Sequence, residues 1–374
     1  MIQDLKPHRR LAVAPMMELT DRHYRYLARL LTRHTLLYTE MLTCAAVIHG
    51  DREYLLGKNG VEDPVVLQLG GSDSKQMASA AQIGEQWGYG EINMNVGCPS
   101  DRVKAGRFGA CLMAEPALVR ENVEAMSAAV SIPVSVKCRL GIDRDDSYEA
   151  VRSFVDEVSK SGCTHFIVHA RKAWLDGLSP KENRSVPPLR YDYVYRLKQE
   201  FPALHISING GIESLDATVE HLAQVDGVMI GRAAYYHPAM LAQADACLFT
   251  DLPDGRVFAQ GHEALFDVAR QYAEYMQGWM DQGVRLSAMS RHVVSLFQNV
   301  PGARLWRRHI SEQANKAVDA TTLIEGALTH LVLASERIAD TYNNSDKTMP
   351  DTSEHAQPKV PLSSGNPDST GPLA

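Results

Sequence analysis

Seven places in this 374-residue chain put polar or reactive side chains at the end of a short apolar run. They are Pro15-Met16-Met17, Gln68, Asn95 with Cys98, Lys137 with Arg139, His169 with Arg171, Asn209-Gly210-Gly211, and Gly231-Arg232. Together they offer one thiol and a set of hydrogen-bond donors, with few carboxylates. Glycoside hydrolysis needs paired carboxylates and metal catalysis needs clustered ligands. Neither occurs at these positions. The thiol is the most pointed feature: Cys98 closes the run Glu91-Ile-Asn-Met-Asn-Val-Gly-Cys-Pro-Ser, with Gly97 freeing the backbone before it and Pro99 fixing φ after it. Lys137, closing Val-Ser-Val-Lys, is a lysine that would stabilise an anionic reduced flavin ring if one were held beside it. Gln68 can meet both donor and acceptor on the pyrimidine edge of such a ring. Two glycine turns, Ile-Asn-Gly-Gly-Ile and Ile-Gly-Arg-Ala, let backbone N–H groups approach phosphate oxygens, with Arg232 adding a full charge.

The elements that carry these residues alternate regularly. Eight candidate strands cover Leu11–Met17, Leu36–Leu42, Pro64–Gly70, Glu91–Gly97, Pro133–Arg139, His165–Arg171, Leu204–Gly210 and Asp226–Gly231. Most are short apolar runs, as strands buried on both faces should be. Helical patterns lie between them, at Ser74–Gly88, Pro116–Ser131, Ser147–Ser161 and Tyr191–Glu200. Eight repeats predict an α/β fold, a (β/α)8 barrel over residues 1–246, with the polar strand ends gathered at its C-terminal mouth. No GxGxxG follows the first strand, which argues against an open doubly wound sheet.

After residue 246 the strand signal stops. Val257–Gly283, Val284–Val300, Ala303–Asn315 and Thr321–Tyr342 have helical spacing and predict a small all-α bundle over residues 247–342. Residues 343–374 are poor in large apolar side chains and read as a disordered tail. Composition is that of a globular protein, 45% hydrophobic and 22% charged, with a net charge of −7. No apolar run reaches membrane-spanning length and the N-terminus has no signal-peptide core, so a cytoplasmic protein is expected. The six cysteines show no metal spacing. The bundle is locally basic: Arg285, Arg291, Arg304, Arg307, Arg308 and Lys316 stand against Glu312 alone between residues 284 and 316, a local charge of +5. That excess fits a phosphate-tracking surface.

With these residues placed, the chain resembles the tRNA-dihydrouridine synthases, most closely their bacterial synthase A subfamily. The shared words are Ala-Pro-Met at 14–16, Thr20-Asp21-Arg22, Glu91-Ile-Asn through Gly-Cys-Pro-Ser, Val136-Lys137, His169-Ala170-Arg171, the run Gly177 to Arg184, Asn209-Gly-Gly, Gly231-Arg232, Pro301-Gly-Ala-Arg and Trp306-Arg307-Arg308. The likeness covers about residues 8–342, in order. It implies an FMN enzyme that uses NADPH to reduce uridine to 5,6-dihydrouridine in the D-loop of tRNA, at U20 and U20a. It implies FMN contacts at Pro15, Met16, Met17, Gln68, Lys137, His169, Asn209, Gly210, Gly211, Gly231 and Arg232, with Cys98 as general acid. It matches Asn95, Lys181 and Arg184 to tRNA contacts and points to Arg304, Arg307 and Arg308 in the bundle. No protein partner is implied, and no membrane is expected. The alternative is a flavin barrel acting on a free pyrimidine, as dihydroorotate dehydrogenases do, which would give no reason for the basic bundle.

Overall fold

A computed structural model describes residues 4–145 and 147–346. Its strands are β1 (Leu11–Val13), β2 (Leu37–Tyr38), β3 (Leu42–Thr43), β4 (Val65–Gly70), β5 (Glu91–Val96), β6 (Val134–Arg139), β7 (His165–His169), β8 (His205–Asn209) and β9 (Gly227–Ile230). All pair in parallel, in the order β1-β9-β8-β7-β6-β5-β4-β2, with β3 also on β4. The ring closes where Val13 N donates to Leu36 O at 2.9 Å and Leu36 N to Leu11 O at 2.9 Å. This is the expected eight-position barrel.

Two strands differ from their expected lengths, each for a local reason. The second is split into β2 and β3 because the Thr39 hydroxyl, not a backbone carbonyl, accepts from Gln68 N (3.0 Å). The first stops at Val13 rather than Met17. Beyond it Pro15 has no N–H, and Met16 N turns instead to the Thr20 hydroxyl at 2.9 Å.

Because strand side chains alternate, each strand contributes to two cores. Outward residues such as Leu67, Ile92, Val136, Phe166 and Ile206 pack beneath the helices. Inward ones form a small apolar group of Ala12, Leu36, Tyr38, Val66, Ile167 and Met229. Beside that group stands an inward polar row that includes Gln68, Glu91, Asn93, Ser135, His165 and Ser207, all buried. Gln68, Asn95, Lys137, His169 and Asn209 share the inward parity and lie at or near the C-terminal ends of their strands.

The helical region consists of helices Phe266–Met280, Leu286–Val293, Ala303–Gln313 and Ala320–Asp346. It docks on the first barrel helix, Arg22–Leu31. There Tyr26 stacks on Tyr275 at 3.8 Å, Arg22 lies over the Trp279 ring at 5.3 Å, and Tyr235 Oη meets His292 Nδ1 at 3.1 Å. Asp21 caps helix Arg22–Leu31 through His23 N and Tyr24 N, and its other oxygen accepts from Arg291 at 2.6 Å. Arg291, one of the six bases counted toward a phosphate-tracking surface, is therefore engaged in holding the bundle to the barrel.

The segment just past residue 246 still belongs to the barrel floor by its contacts. Asp245 accepts from the Thr32 hydroxyl (2.6 Å), Arg33 N (2.6 Å) and Arg256 N (2.8 Å), and Arg10 pairs with Asp251. The last helix runs to Asp346, past the expected start of the tail at residue 343; the remainder, 347–374, lies outside the described residues. No helix among the described residues is long and apolar enough to cross a membrane.

Candidate active site

Cys98 sits in the turn immediately after β5, half-buried at the barrel mouth. The side chain of Asn95 shapes that turn: its Oδ1 accepts from Gly97 N at 3.1 Å and from Cys98 N at 2.9 Å. Arg139 holds the same turn from β6, donating to Gly97 O at 2.8 Å. Ser100 Oγ lies 3.5 Å from the thiol sulfur. Asn95 is only 8% exposed, so the residue matched to a tRNA contact is mostly occupied with positioning the thiol.

Gln68 is buried, and both ends of its amide are engaged. Oε1 accepts from Asn95 Nδ2 (2.9 Å), and Nε2 donates to Asn93 Oδ1 (2.8 Å), leaving one N–H. Lys137 donates to Asn209 Oδ1 at 3.1 Å, while Asn209 Nδ2 donates to Met229 O at 2.7 Å. Burial pushes the Lys137 ammonium down to about 8, and the charge of Arg139 acts in the same direction. Burial likewise lowers Arg139 to about 10, with Arg184 and Arg171 pushing the same way. His169 falls well below its ordinary value, by burial first and then by Arg139 and Lys137, so it is a neutral imidazole.

Burial is the first cause of each of these depressions, and repulsion among neighbouring cations is a second that they share. Lys137, Arg139, Arg171, Arg184 and Arg232 face one region, and none of them has a carboxylate partner among the described residues. Arg171 donates to Pro187 O, and its Nε is buried without a partner. Like charges gathered without counter-charges favour an anion. The backbone at the mouth suits the same ligand. Gly210 has φ 117° and Gly211 φ 70°, and a Cβ on Gly210 would come within 2.6 Å of the His169 ring. Tyr191 Oη fastens this turn by donating to Gly210 O at 2.7 Å. Gly231 leads into the short helix Arg232–Tyr236, with Arg232 exposed. Pro15 and Met16 are half-buried beside them, whereas Met17 is 57% exposed.

Other expected residues are spread more widely. Lys181 and Arg184 are exposed on the loop between β7 and the helix Tyr191–Glu200. Asn183, between them, is buried and organises that loop: its side chain accepts from Trp174 N (2.7 Å) and donates to Trp174 O (2.9 Å). Arg139 donates to Lys172 O and Asn183 O, both at 3.0 Å, and so joins the loop to the Cys98 turn. Arg304 and Arg308 are exposed, Arg307 is half-buried, and none has an ion pair among the described residues. Sequence reading assigned no task to Glu91, Asn93, Ser135, Arg139 or Asn183. The signal was present in β5, where Glu91, Asn93 and Asn95 recur at period two and so share one face.

This parallel eight-position barrel gathers five cations without carboxylate partners among the described residues, glycine turns and one thiol at its mouth, an arrangement suited to an anion. The sequence model of the dihydrouridine synthase family matches residues 12–331, and the chain belongs to that family. It is 53% identical over 330 residues to the tRNA-dihydrouridine(20/20a) synthase of Xanthomonas campestris pv. campestris, covering 88% of this chain and 96% of that one. The enzyme of the same name from Shewanella oneidensis is 53% identical over 308 residues, covering 82% and 90%. The one from Synechocystis sp. is 52% identical over 320 residues, covering 85% and 93%.

Proposed function

We propose that the protein reduces uridine to 5,6-dihydrouridine in the D-loop of tRNA, at positions 20 and 20a, with FMN as its flavin and NADPH as the reductant. The observation that carries this reading is the extent of the family match, which includes the Cys98 turn, the cationic mouth and most of the basic bundle. Relatives bearing the (20/20a) name match over more than four-fifths of the chain.

The residues fit a flavin mononucleotide. The phosphate has Gly210, Gly211, Gly231 and Arg232, together with the unpaired donor of Arg171. The ring would be held among Pro15, Met16, Met17, Gln68, Lys137, His169 and Asn209, with the free N–H of Gln68 and the ammonium of Lys137 as donors to its carbonyl edge. When bound, FMN supplies to uracil C6 the hydride that NADPH has delivered to it.

Cys98 then gives its Sγ proton to C5 of the uracil, completing addition of two hydrogens across the C5–C6 bond. An acid gives up a proton it already carries, so this role needs no base beside Cys98. A uridine must leave the tRNA stack to reach this depth, at a cost of a few kcal/mol. Backbone contacts from Lys181, Arg184, Arg304, Arg307 and Arg308 offset that cost.

Unmodified tRNA incubated with the purified protein and NADPH should yield a nucleoside two hydrogens heavier than uridine in mass spectrometry. No such product from a preparation with bound, reducible flavin would overturn the reading and direct the search to free pyrimidines. About five phosphate contacts predict that tRNA affinity falls by roughly 10²–10³ between 50 and 200 mM salt. Filter binding across that range checks it, and a flat affinity contradicts the assignment of these five bases.

A further inference from the structure

The strand that leads to the Cys98 turn carries two inward polar residues to which the reaction gives no task, Glu91 and Asn93. They belong to one continuous column of buried hydrogen bonds running from the barrel floor to the thiol turn. At the floor, Arg9 pairs with Glu91 Oε2 at 2.6 Å, and Glu91 Oε1 accepts from the Ser135 hydroxyl. Ser135 Oγ accepts from Asn93 Nδ2 at 2.9 Å, and Asn93 Oδ1 accepts from Gln68 Nε2 at 2.8 Å. Gln68 Oε1 accepts from Asn95 Nδ2 at 2.9 Å, and Asn95 Oδ1 accepts from the N–H groups of Gly97 and Cys98. Strand register sets the middle links side by side, since Asn93 is the ladder partner of both Gln68 and Ser135.

The column has a single chemical sense. Its upper end consists of backbone N–H groups, which only donate. Its lower end is a carboxylate, which only accepts. Burial by itself would raise the Glu91 carboxyl, but Arg9 and then His165 hold it well below the usual range, so it stays an acceptor. Every amide between must therefore point its oxygen toward Cys98 and its nitrogen toward Glu91. Any flipped amide would set donor against donor or acceptor against acceptor in a buried site, costing the full desolvation of the unpaired groups.

We propose that Asn93 is a positioning residue: by linking the Glu91 carboxylate to Gln68 it locks the amide sense of Gln68 and Asn95, and so the turn that presents Cys98. The inference rests on the reading of Cys98 as the acid in uridine reduction.

Asn93→Asp tests it through pH. A neutral carboxyl group reproduces the asparagine pattern, accepting from Gln68 and donating to Ser135. An ionised one only accepts, and then competes with Glu91 for the single Ser135 proton. Burial and the neighbouring Glu91 charge raise the new group's pKa, whereas the ladder neighbour at the next level, Lys137, opposes this. Other titratable groups near the column include Arg9, His165, His205, Tyr38, Cys163 and, at its upper end, Arg139. Burial lowers His165 and His205 and raises Tyr38, so all three stay neutral near pH 7.

The variant should therefore reduce tRNA at a rate near wild type at low pH. Above its carboxyl pKa the rate, relative to wild type, should fall about tenfold per pH unit until it levels. Asn93→Leu should be slow, by roughly tenfold or more, at every pH. A second readout needs no turnover. In ¹⁵N-cysteine-labelled protein, assigned with the Cys98→Ala variant, the Cys98 amide of Asn93→Leu should exchange with solvent at least about tenfold faster than in wild type, the loss of one buried hydrogen bond. A wild-type pH profile in Asn93→Asp, or an unchanged Cys98 amide in Asn93→Leu, overturns the proposal. If Asn93→Leu fails to fold, the Asn93→Asp profile decides alone. If wild-type protein makes no dihydrouridine while the amide behaves as expected, the reading of function fails and the positioning role stands.

Discussion

Replacing Cys98 by alanine is expected to slow uridine reduction by about 10²–10⁴, the usual contribution of a positioned general acid. The variant should still bind flavin and still oxidise NADPH. The expectation follows from what surrounds the thiol. Its turn is held by Gly97 N and Cys98 N donating to Asn95 Oδ1, by Arg139 donating to Gly97 O and by Ala110 N donating to Cys98 O, whereas the sulfur itself makes only a long contact with Ser100 Oγ at 3.5 Å. Removing Sγ therefore leaves the turn, Gln68, Lys137, His169 and Asn209 in place, and with them the expected flavin contacts, while deleting the expected proton source. Cys98→Ser should also be slow, because a hydroxyl is a far weaker acid than a thiol. Nucleoside mass spectrometry gives the rate, flavin absorbance gives occupancy, and the fall in nicotinamide absorbance gives NADPH oxidation. If the alanine variant loses its flavin, Cys98 is a structural residue. If it reduces tRNA at the wild-type rate, the proton comes from elsewhere.

Arg9→Met should have the largest effect on stability, about 3–5 kcal/mol, because it leaves a buried carboxylate without its cation. Arg9 reaches Glu91 through both Nε and Nη2, at 3.2 and 2.6 Å, and Glu91 is fully buried. The pH dependence has a definite sign. In the wild type the Glu91 pKa lies below its unfolded value, about 4.3. Its contribution is therefore present above that pH and lost as pH falls through the folded pKa. Without Arg9, burial, the largest influence on Glu91, dominates and raises the folded pKa. The variant then loses stability as pH rises through about 4.3 toward that raised value. The gap between the two proteins should be widest near neutral pH and shrink below about pH 4. Urea unfolding at several pH values checks this, and a gap independent of pH would mean that the pair is not the source of the loss.

The two effects meet in one strand. β5 begins with the carboxylate that anchors the barrel floor and ends at the turn that carries Cys98, and its inward residues connect them. A polar barrel interior is costly to fold because each group must find its partner. Here it yields a thiol turn whose geometry is set from below as well as from the loops above. Arg139 adds a lateral tie, joining that turn to the loop that bears Lys181 and Arg184.

Much of this molecule could be read along the chain, because the relevant signals are local. Buried parallel strands are short apolar runs, and their ends are marked by Gly97, Gly210, Gly211 and Gly231, so the eight-fold alternation and the gathering of Gln68, Asn95, Cys98, Lys137, His169 and Asn209 at one mouth follow from pattern alone. The helices Pro116–Ala129, Tyr148–Ser159 and Tyr191–Glu200 likewise fall within the expected spans, their apolar spacing being a property of neighbours in sequence. Pairings between distant residues had no such signal. That Thr39 interrupts a strand depends on Gln68, 29 residues away. That Arg291 holds the bundle to the barrel depends on Asp21, 270 residues away. That Asp245 seals the floor depends on Thr32, 213 residues away. The same holds for the sense of the amide column and for the crowding of Lys137, Arg139, Arg171, Arg184 and Arg232. A residue type states what a side chain can donate, accept or carry. Only closure of the barrel brings β4, β5 and β6 close enough to determine which of those capacities are spent inside the protein and which are left for a ligand.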